Sequence, residues 1–294
     1  MTNIIQSIWT KPMLAERWNI TDQIEKNLWL YGYSVDYLKR IGLPVELYTD
    51  TYGASIFDCL GYDNIHIKLD ELEDVNERFW SAGKIVAIRE APLGSIHIDG
   101  DVFLKKESII PLLEFPDHDC IVQMEERLSI FMESYEQVLP MFRDAVGDSV
   151  KGFGYSATTS VNCGIMGFNN SLLRDAFING YFQILEICQS DQHFMSLLKY
   201  DLKKRNEPNI VIEQYFLKGI ADFEGCTIKS LLEMKSDNFQ DDIADMNNQA
   251  NEIGFAHAWG SSKYQIIEPI KDILAQRNPK LHQAILNKIV EINL

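Results

Sequence analysis

An α/β fold, an open sheet flanked by helices, is what this sequence predicts, and three observations predict it. Strand-like and helix-like segments alternate over the first hundred residues. Asp99 and Asp101 close an apolar strand-like run, and ligands of open sheets bind beyond the carboxyl ends of the strands. The chain of 294 residues is 46% hydrophobic and 24% charged, which suits one large globular domain.

Taken in order, Asn3–Trp9 is apolar and β-compatible. Thr21-Asp22 reads as a helix cap, and the helix it opens keeps helical spacing to Arg40, where Gly42 and Pro44 close it. Val45–Thr49 is a strand that passes into a polar loop through Asp50, Thr51 and Gly53. Ile65–Leu69 alternates as a strand does. A helix is expected from Asp74 to Glu90, a turn at Pro92-Leu93-Gly94, and a short strand at Ser95–Ile98. Cys120–Met124 is the next strand, followed by a helix over about Ser129–Leu139 that Pro140 should end or kink. Val161–Phe168 is a strand. Helices are expected over Ser171–Cys188 and Ile210–Ile220, late strands at Cys226–Lys229 and Gly254–His257, and one or two helices from Pro269 to Asn293. The chain divides into a main domain over 1–265 and a helical extension over 266–294 packed on it.

Composition narrows the function. There are 27 basic and 43 acidic residues, a net charge of −16, and no Lys/Arg stripe, so nucleic acid is not an expected partner. The same field repels phosphorylated ligands, so a site for one must supply its own cations. No apolar run is long enough to span a bilayer, and the N-terminus lacks the basic flank of a secretory signal. Five scattered cysteines without a Cys-x-x-Cys pair argue against a disulfide framework or thiolate zinc site and fit a reducing compartment. The expected location is the cytoplasm, at most peripheral to the inner membrane.

Four constellations can carry chemistry. In Ile96–Leu104, Asp99 and Asp101 flank Gly100 between apolar runs. The group reads either as a polar turn or as a carboxylate pair that a cation must neutralise, with Mn²⁺ or Mg²⁺ suited to oxygen ligands and substrate phosphates. In His257–Lys263, an imidazole suited to a divalent metal precedes Gly260, which permits close backbone approach, and Lys263, a point charge for a phosphate; an ordinary surface loop is the other reading. In Val161–Phe168, Asn162 offers amide hydrogen bonds and Gly164 close approach, against a merely kinked buried strand. Glu213-Gln214 opens an apolar helical run, either as a solvated helix face or as a functional pair.

These residues resemble GT-A-fold glycosyltransferases. Asp99-Gly100-Asp101 is similar to their Asp-x-Asp motif. The His-x-x-Gly-x-x-Lys spacing at 257–263 resembles the C-terminal motif of the retaining glycogenin and bacterial galactosyltransferase-like families. Asn162-Cys163-Gly164-Ile165 is similar to their Asn-x-Gly strand, and Glu213-Gln214 to the Asp-Gln pair that follows it. Gln6–Pro12 and Trp80–Leu104 look closer still to a bacterial GT-A-like family without an assigned reaction. Tyr264-Gln265 stands where Pro-Trp usually follows the motif lysine.

The resemblance implies a GT-A-like open mixed sheet with a Rossmann-like nucleotide-binding half. It implies a metal-dependent transfer from a nucleotide-diphospho-sugar to a glycan, lipid-linked or other acceptor, with retention favoured. Asp101 and His257 would bind the metal, and Asp99 would meet the metal or the ribose. Lys263 and Gly260 would hold the diphosphate, with Lys84 or Arg89 as the upstream basic group. Asn162, Glu213 and Gln214 would lie along the sugar or acceptor. Glu213, Glu125 and Glu126 are the base candidates an inverting reaction would need. Three alternatives compete. A haloacid-dehalogenase-like phosphatase would use Asp99/Asp101 with Asp241–Asp245, but the strand before Asp99 comes late and Phe103 stands where Thr or Val is usual. A nucleotidyltransferase would need a glycine-rich loop that Ser7–Met13 lacks. A non-catalytic binding protein of the same fold is the third.

Overall fold

The computed structural model describes residues 2–15, 21–115, 117–128, 135, 138–155, 158–200, 208–235 and 239–293. The expected helix over Ser129–Leu139 falls almost wholly outside them. A seven-stranded mixed sheet runs in the order β3-β2-β1-β4-β7-β6-β8. The strands are β1 (Ile4–Ile8), β2 (Val45–Thr49), β3 (Asn64–Ile67), β4 (Ile96–Ile98), β6 (Cys120–Arg127), β7 (Thr159–Phe168) and β8 (Ile228–Leu232). β5 (Val102–Leu104) and β9 (Phe255–His257) form a separate antiparallel pair.

Six of the seven strands run the same way, with β7 alone reversed. β1, β2 and β4 are largely buried, whereas β3, at the edge of the sheet, is half exposed. β7 runs against β4 and β6, so its first residues, not its last, lie beside the carboxyl end of β4. The β6–β7 register shifts between Val122 and Met124, with the surplus residues on β7 at Cys163–Ile165. Behind the sheet, Ile85, Val86, Phe177, Tyr181, Phe216 and Ile220 are among the residues of one continuous core.

Several expected elements differ. The helix expected from Asp74 begins only at Ala82, because Leu69–Leu72 forms a 3₁₀ turn and the chain up to Ser81 is made of turns. Pro140 is itself helical. It opens the helix Leu139–Val146 at the first turn, where its missing N–H costs nothing. Asp22 does occupy the cap of Gln23–Arg40, in a left-handed conformation (φ 58°) and without a side-chain capping bond. The segment Gly254–His257 contributes β9, which pairs with β5 rather than joining the main sheet. The helices Gln192–Tyr200 and Phe239–Ile253 have no counterpart in the expectations; Asp241, Asp242 and Asp245 lie on the latter.

The last two helices, Ile267–Arg277 and Pro279–Ile292, pack on Gln23–Arg40 through Ile270, Leu274, Leu281 and Ile285 against Leu28, Trp29 and Leu30. Contact is close: a Cβ on Gly32 would stand 2.7 Å from Ile285 Cδ1. Arg277 lies over Tyr37 at 4.1 Å and pairs with Asp36 at 2.6 Å. Among the described residues, no helix is long and apolar enough to cross a membrane.

Candidate functional site

An open cleft of about 240 Å³ lies beyond the carboxyl ends of β1 and β4, and its lining includes Ser7, Trp9, Tyr31, Trp80, Lys84 and Trp259. Asp99, Gly100 and Asp101 form its head. Local chemistry sets this turn. Asp99 N–H donates to Gly164 O at 2.9 Å and Val102 N–H to Asp99 O at 3.0 Å, so the turn is tied to β7 on one side and closed on itself on the other. Gly100 has to lack a side chain, since a Cβ there would enter the Tyr31 ring. Tyr31 is held in turn by its hydroxyl, which donates to Ser7 O at 2.9 Å.

The pairing of β5 with β9 delivers the second motif. β5 starts directly after Asp101, and Val102 is in register with His257. Ala258 N–H donates to Asp101 O at 2.9 Å and extends the pairing by one step. His257 Nε2 thereby stands 3.4 Å from Asp101 Oδ1, and Lys263, on the 3₁₀ segment Gly260–Ile266, places Nζ 2.7 Å from Asp101 Oδ2. Burial alone would raise the Asp101 carboxyl; Lys263 and His257 outweigh it and hold it well below the usual carboxylate range.

Ligand atoms of Asp99, Asp101 and His257 all lie within 4.8 Å of one another. Two carboxylates and an imidazole form a donor set that suits Mn²⁺ or Mg²⁺. The tautomer is prepared as well. Gln123 Oε1 lies 2.8 Å from His257 Nδ1, so with an ion bound Nδ1–H would donate to it and leave the Nε2 lone pair for the metal, whereas without one Nε2–H faces Asp101. Gly164 makes room for this arrangement: a Cβ there would stand 2.5 Å from Gln123 Oε1 and 2.6 Å from His257 Cε1.

On the other flank of the turn, Lys84 is only 5% exposed. Its Nζ lies 2.8 Å from Asp99 Oδ1, 2.7 Å from Glu213 Oε1 and 3.0 Å from Cys163 O. Burial works against its charge, but the Asp99 and Glu213 carboxylates more than offset this and hold the ammonium above the ordinary lysine range. Burial pushes Glu213 upward against the pull of Lys84, with the Asp99 charge adding to the rise. Glu213 and Gln214 are neighbours on a π-helical turn, Ile210–Tyr215. The turn separates them: Gln214 lines the cleft, while Glu213, 1% exposed, sits behind Lys84.

Asn162 also lines the cleft. Its Nδ2 donates to Glu126 Oε1 at 3.0 Å and its Oδ1 accepts from Gly164 N at 3.0 Å, so both ends of the amide are assigned. Burial raises Glu126 to about 7 against the opposing Asn162 bond. Glu125 pairs with Lys218 at 3.7 Å, and Arg89 with Glu71 at 2.7 Å. Arg89, Glu125, Glu126 and Glu213 are not among the residues lining the cleft; Lys84, Asn162, Gln214, Gly260 and Lys263 are.

The sequence model of a family of unknown function, DUF6734, matches residues 2–288. This chain belongs to that family. No curated protein matches the sequence. Among solved structures, this DUF6734 protein is similar to the galactosyltransferase LgtC, in complex with donor and acceptor sugar analogues, at 11% identity and a TM-score of 0.45, over 94% of this chain and 96% of that one. It is similar also to mouse xyloside xylosyltransferase 1 in its apo form, at 13% identity and a TM-score of 0.35, over 97% and 93%.

The DUF6734 site draws on residues that sequence reasoning did not single out. Gln123 has no local signal, since its role depends on the β6–β7 register. Ser7 and Tyr31 sit in apolar surroundings that look like ordinary strand and helix. Only the glycines hint at them, because Gly100 and Gly164 are the positions where a neighbouring ring or amide displaces a side chain.

Proposed function

We propose that this protein is a metal-dependent glycosyltransferase that takes its sugar from a nucleotide-diphospho-sugar. The observation that carries the reading is the convergence of Asp99, Asp101 and His257 at the head of a cleft flanked by Lys84 and Lys263. A bound Mn²⁺ or Mg²⁺ would supply Lewis-acid neutralisation of the diphosphate. The protein's own residues do the rest. Lys263, now on Asp101, is placed to turn to the phosphates as charge develops on the leaving group. Lys84, fixed by Glu213, sets the position of Asp99. Glu213 acts through Lys84 and is a positioning residue. Asn162 presents an amide whose orientation is set by Glu126 and the Gly164 N–H. Trp9, Trp80 and Trp259 give the cleft apolar walls that exclude water. Where an inverting enzyme would need a carboxylate base at the acceptor hydroxyl, the side chain at the cleft is the amide of Gln214, which favours retention. The local lysines also meet the demand that a net charge of −16 makes on any site for a phosphate.

Thermal unfolding with nucleoside diphosphates, with and without Mn²⁺, tests the reading. A nucleotide at about a hundred times its dissociation constant should add roughly 2.7 kcal/mol in Mn²⁺. The gain should vanish in EDTA and in Asp101→Asn, whose own fold should remain intact. An equal shift in EDTA would remove the metal from the account, and an Asp101→Asn variant that still transfers sugar would remove the motif.

A further inference from the structure

One polar chain at the cleft has no part in that account. Ser7, on β1, lines the cleft, and its Oγ lies 2.9 Å from Nε2 of His97 on the neighbouring strand β4. His97 is 1% exposed, and its other ring nitrogen, Nδ1, is buried without a hydrogen-bond partner, 3.8 Å from Asp99 Oδ1. A histidine buried this deeply on a central strand is costly unless its polar atoms are used.

The tautomer follows from the surroundings. With the proton on Nε2, the Nδ1 lone pair would face a carboxylate oxygen at 3.8 Å, and Lys84, whose charge also reaches His97, offers it no proton because its donors are taken by Asp99, Glu213 and Cys163 O. With the proton on Nδ1, an N–H dipole faces that oxygen instead, and Nε2 becomes an acceptor. The Ser7 hydroxyl proton is then committed to Nε2, and the oxygen has only lone pairs to offer the cleft. Ser7 O is engaged by Tyr31, which fixes the backbone at the same point. The polar groups of the cleft thus differ in kind. The ammonium groups of Lys84 and Lys263 donate and suit phosphate oxygens, while the Ser7 oxygen accepts and is repellent to them.

We propose that Ser7, oriented by His97, is an acceptor-only group that reads a hydroxyl of the bound donor, on its ribose or on the sugar it carries. This inference rests on the nucleotide-sugar reading and deepens it, since it makes a hydroxylated ribose or sugar, rather than any diphosphate, the required ligand. His97 is a positioning residue. A site built to accept a hydroxyl proton discriminates against an analogue that lacks it, because the accepting oxygen is left unpaired.

Titration calorimetry on the full chain in Mn²⁺ tests this. The probes are ADP, CDP, GDP and UDP, then the 2′-deoxy and 3′-deoxy forms of whichever binds best, and its glucose and galactose conjugates. In the natural protein one deoxy form should bind roughly tenfold weaker than its ribonucleotide, or the conjugate should bind roughly tenfold tighter than the bare diphosphate. The first outcome assigns the hydroxyl to ribose and the second to the sugar. Ser7→Ala should erase that difference while leaving the Mn²⁺ requirement in place. His97→Phe, which frees the serine proton, should shrink it. Equal binding of all forms by the natural protein overturns the proposal without any variant having to fold. So does a Ser7→Ala protein that keeps the full difference. If the natural protein binds none of the diphosphates in Mn²⁺, the donor reading itself fails and takes this one with it. Binding that is Mn²⁺-dependent but blind to Ser7 leaves the donor reading standing alone.

Discussion

Two lysine–carboxylate clusters flank one short turn, and they are built to different ends. Lys84, Asp99 and Glu213 form the floor, where Lys84 and Glu213 have almost no exposure and three acceptors surround one ammonium. Lys263, Asp101 and His257 form the rim, held by a two-stranded pairing and opening onto the cleft. The floor carries two carboxylates on one lysine, so removing the lysine strands buried charge. At the rim, Lys263 is backed by an imidazole and lines the cleft. Under the proposed function, similar ion pairs would serve as structure in one place and as an exchangeable counter-charge in the other.

The largest effect that could break this comparison is Lys84→Met. It should destabilise the protein by about 3–5 kcal/mol, since it leaves the buried Glu213 carboxylate, beside the half-buried Asp99, without a counter-ion. Denaturant unfolding measures it, and adding Glu213→Gln should restore part of the loss. A Lys84→Met protein of unchanged stability would show that the floor is no more structural than the rim.

Lys263→Ala should cost much less stability. Its expected effect is on binding: affinity for a nucleoside diphosphate in Mn²⁺ should drop by about tenfold, as for the loss of one charge-assisted contact, with the free nucleoside little affected. Equal losses for both ligands would put Lys263 among the packing residues.

The smallest effect sharpens the contrast through pH. Glu126 is raised from about 4.5 to about 7, so the folded protein holds a proton that the unfolded chain releases in that interval. Its contribution is full below pH 4.5 and is lost as pH rises through 7. Asp101, held low, contributes with the opposite sign: its share is present above the ordinary aspartate range and lost on acidification. Glu126→Gln should flatten the stability profile between pH 4.5 and 7. A profile unchanged from the natural protein would mean that Glu126 is ionised throughout.

What is legible in the sequence follows the same division. Asp99 and Asp101 announce themselves because paired charge between apolar runs is a local pattern, and His257, Gly260 and Lys263 because their spacing is local too. The alternating strands and helices of the first hundred residues place β1 to β4. Gln123, Ser7 and His97 are not legible, because each acquires its neighbours from strand register between segments far apart in the chain. Glu213 and Gln214 are adjacent in sequence, and any helix points neighbours about 100° apart. Which of the two meets the cleft depends on how the turn Ile210–Tyr215 packs against Lys84, which is not a local signal. Pro140 misleads because the same ring that breaks a helix interior is welcome at its first turn, and which of the two applies depends on where the helix starts.

The β5–β9 pairing also has a consequence for the order in which the protein is made. Seven strands of the main sheet are in place once Leu232 has left the ribosome, yet the partner of Val102 and the imidazole beside Asp101 come later, on β9. A nascent chain therefore displays a finished sheet before it owns a finished ligand site. Contacts of such long sequence separation are slow to form, so the cleft should be the last part of the molecule to mature. Under the proposed function, the half-made protein would lack a ligand of its metal until the C-terminal segment has docked.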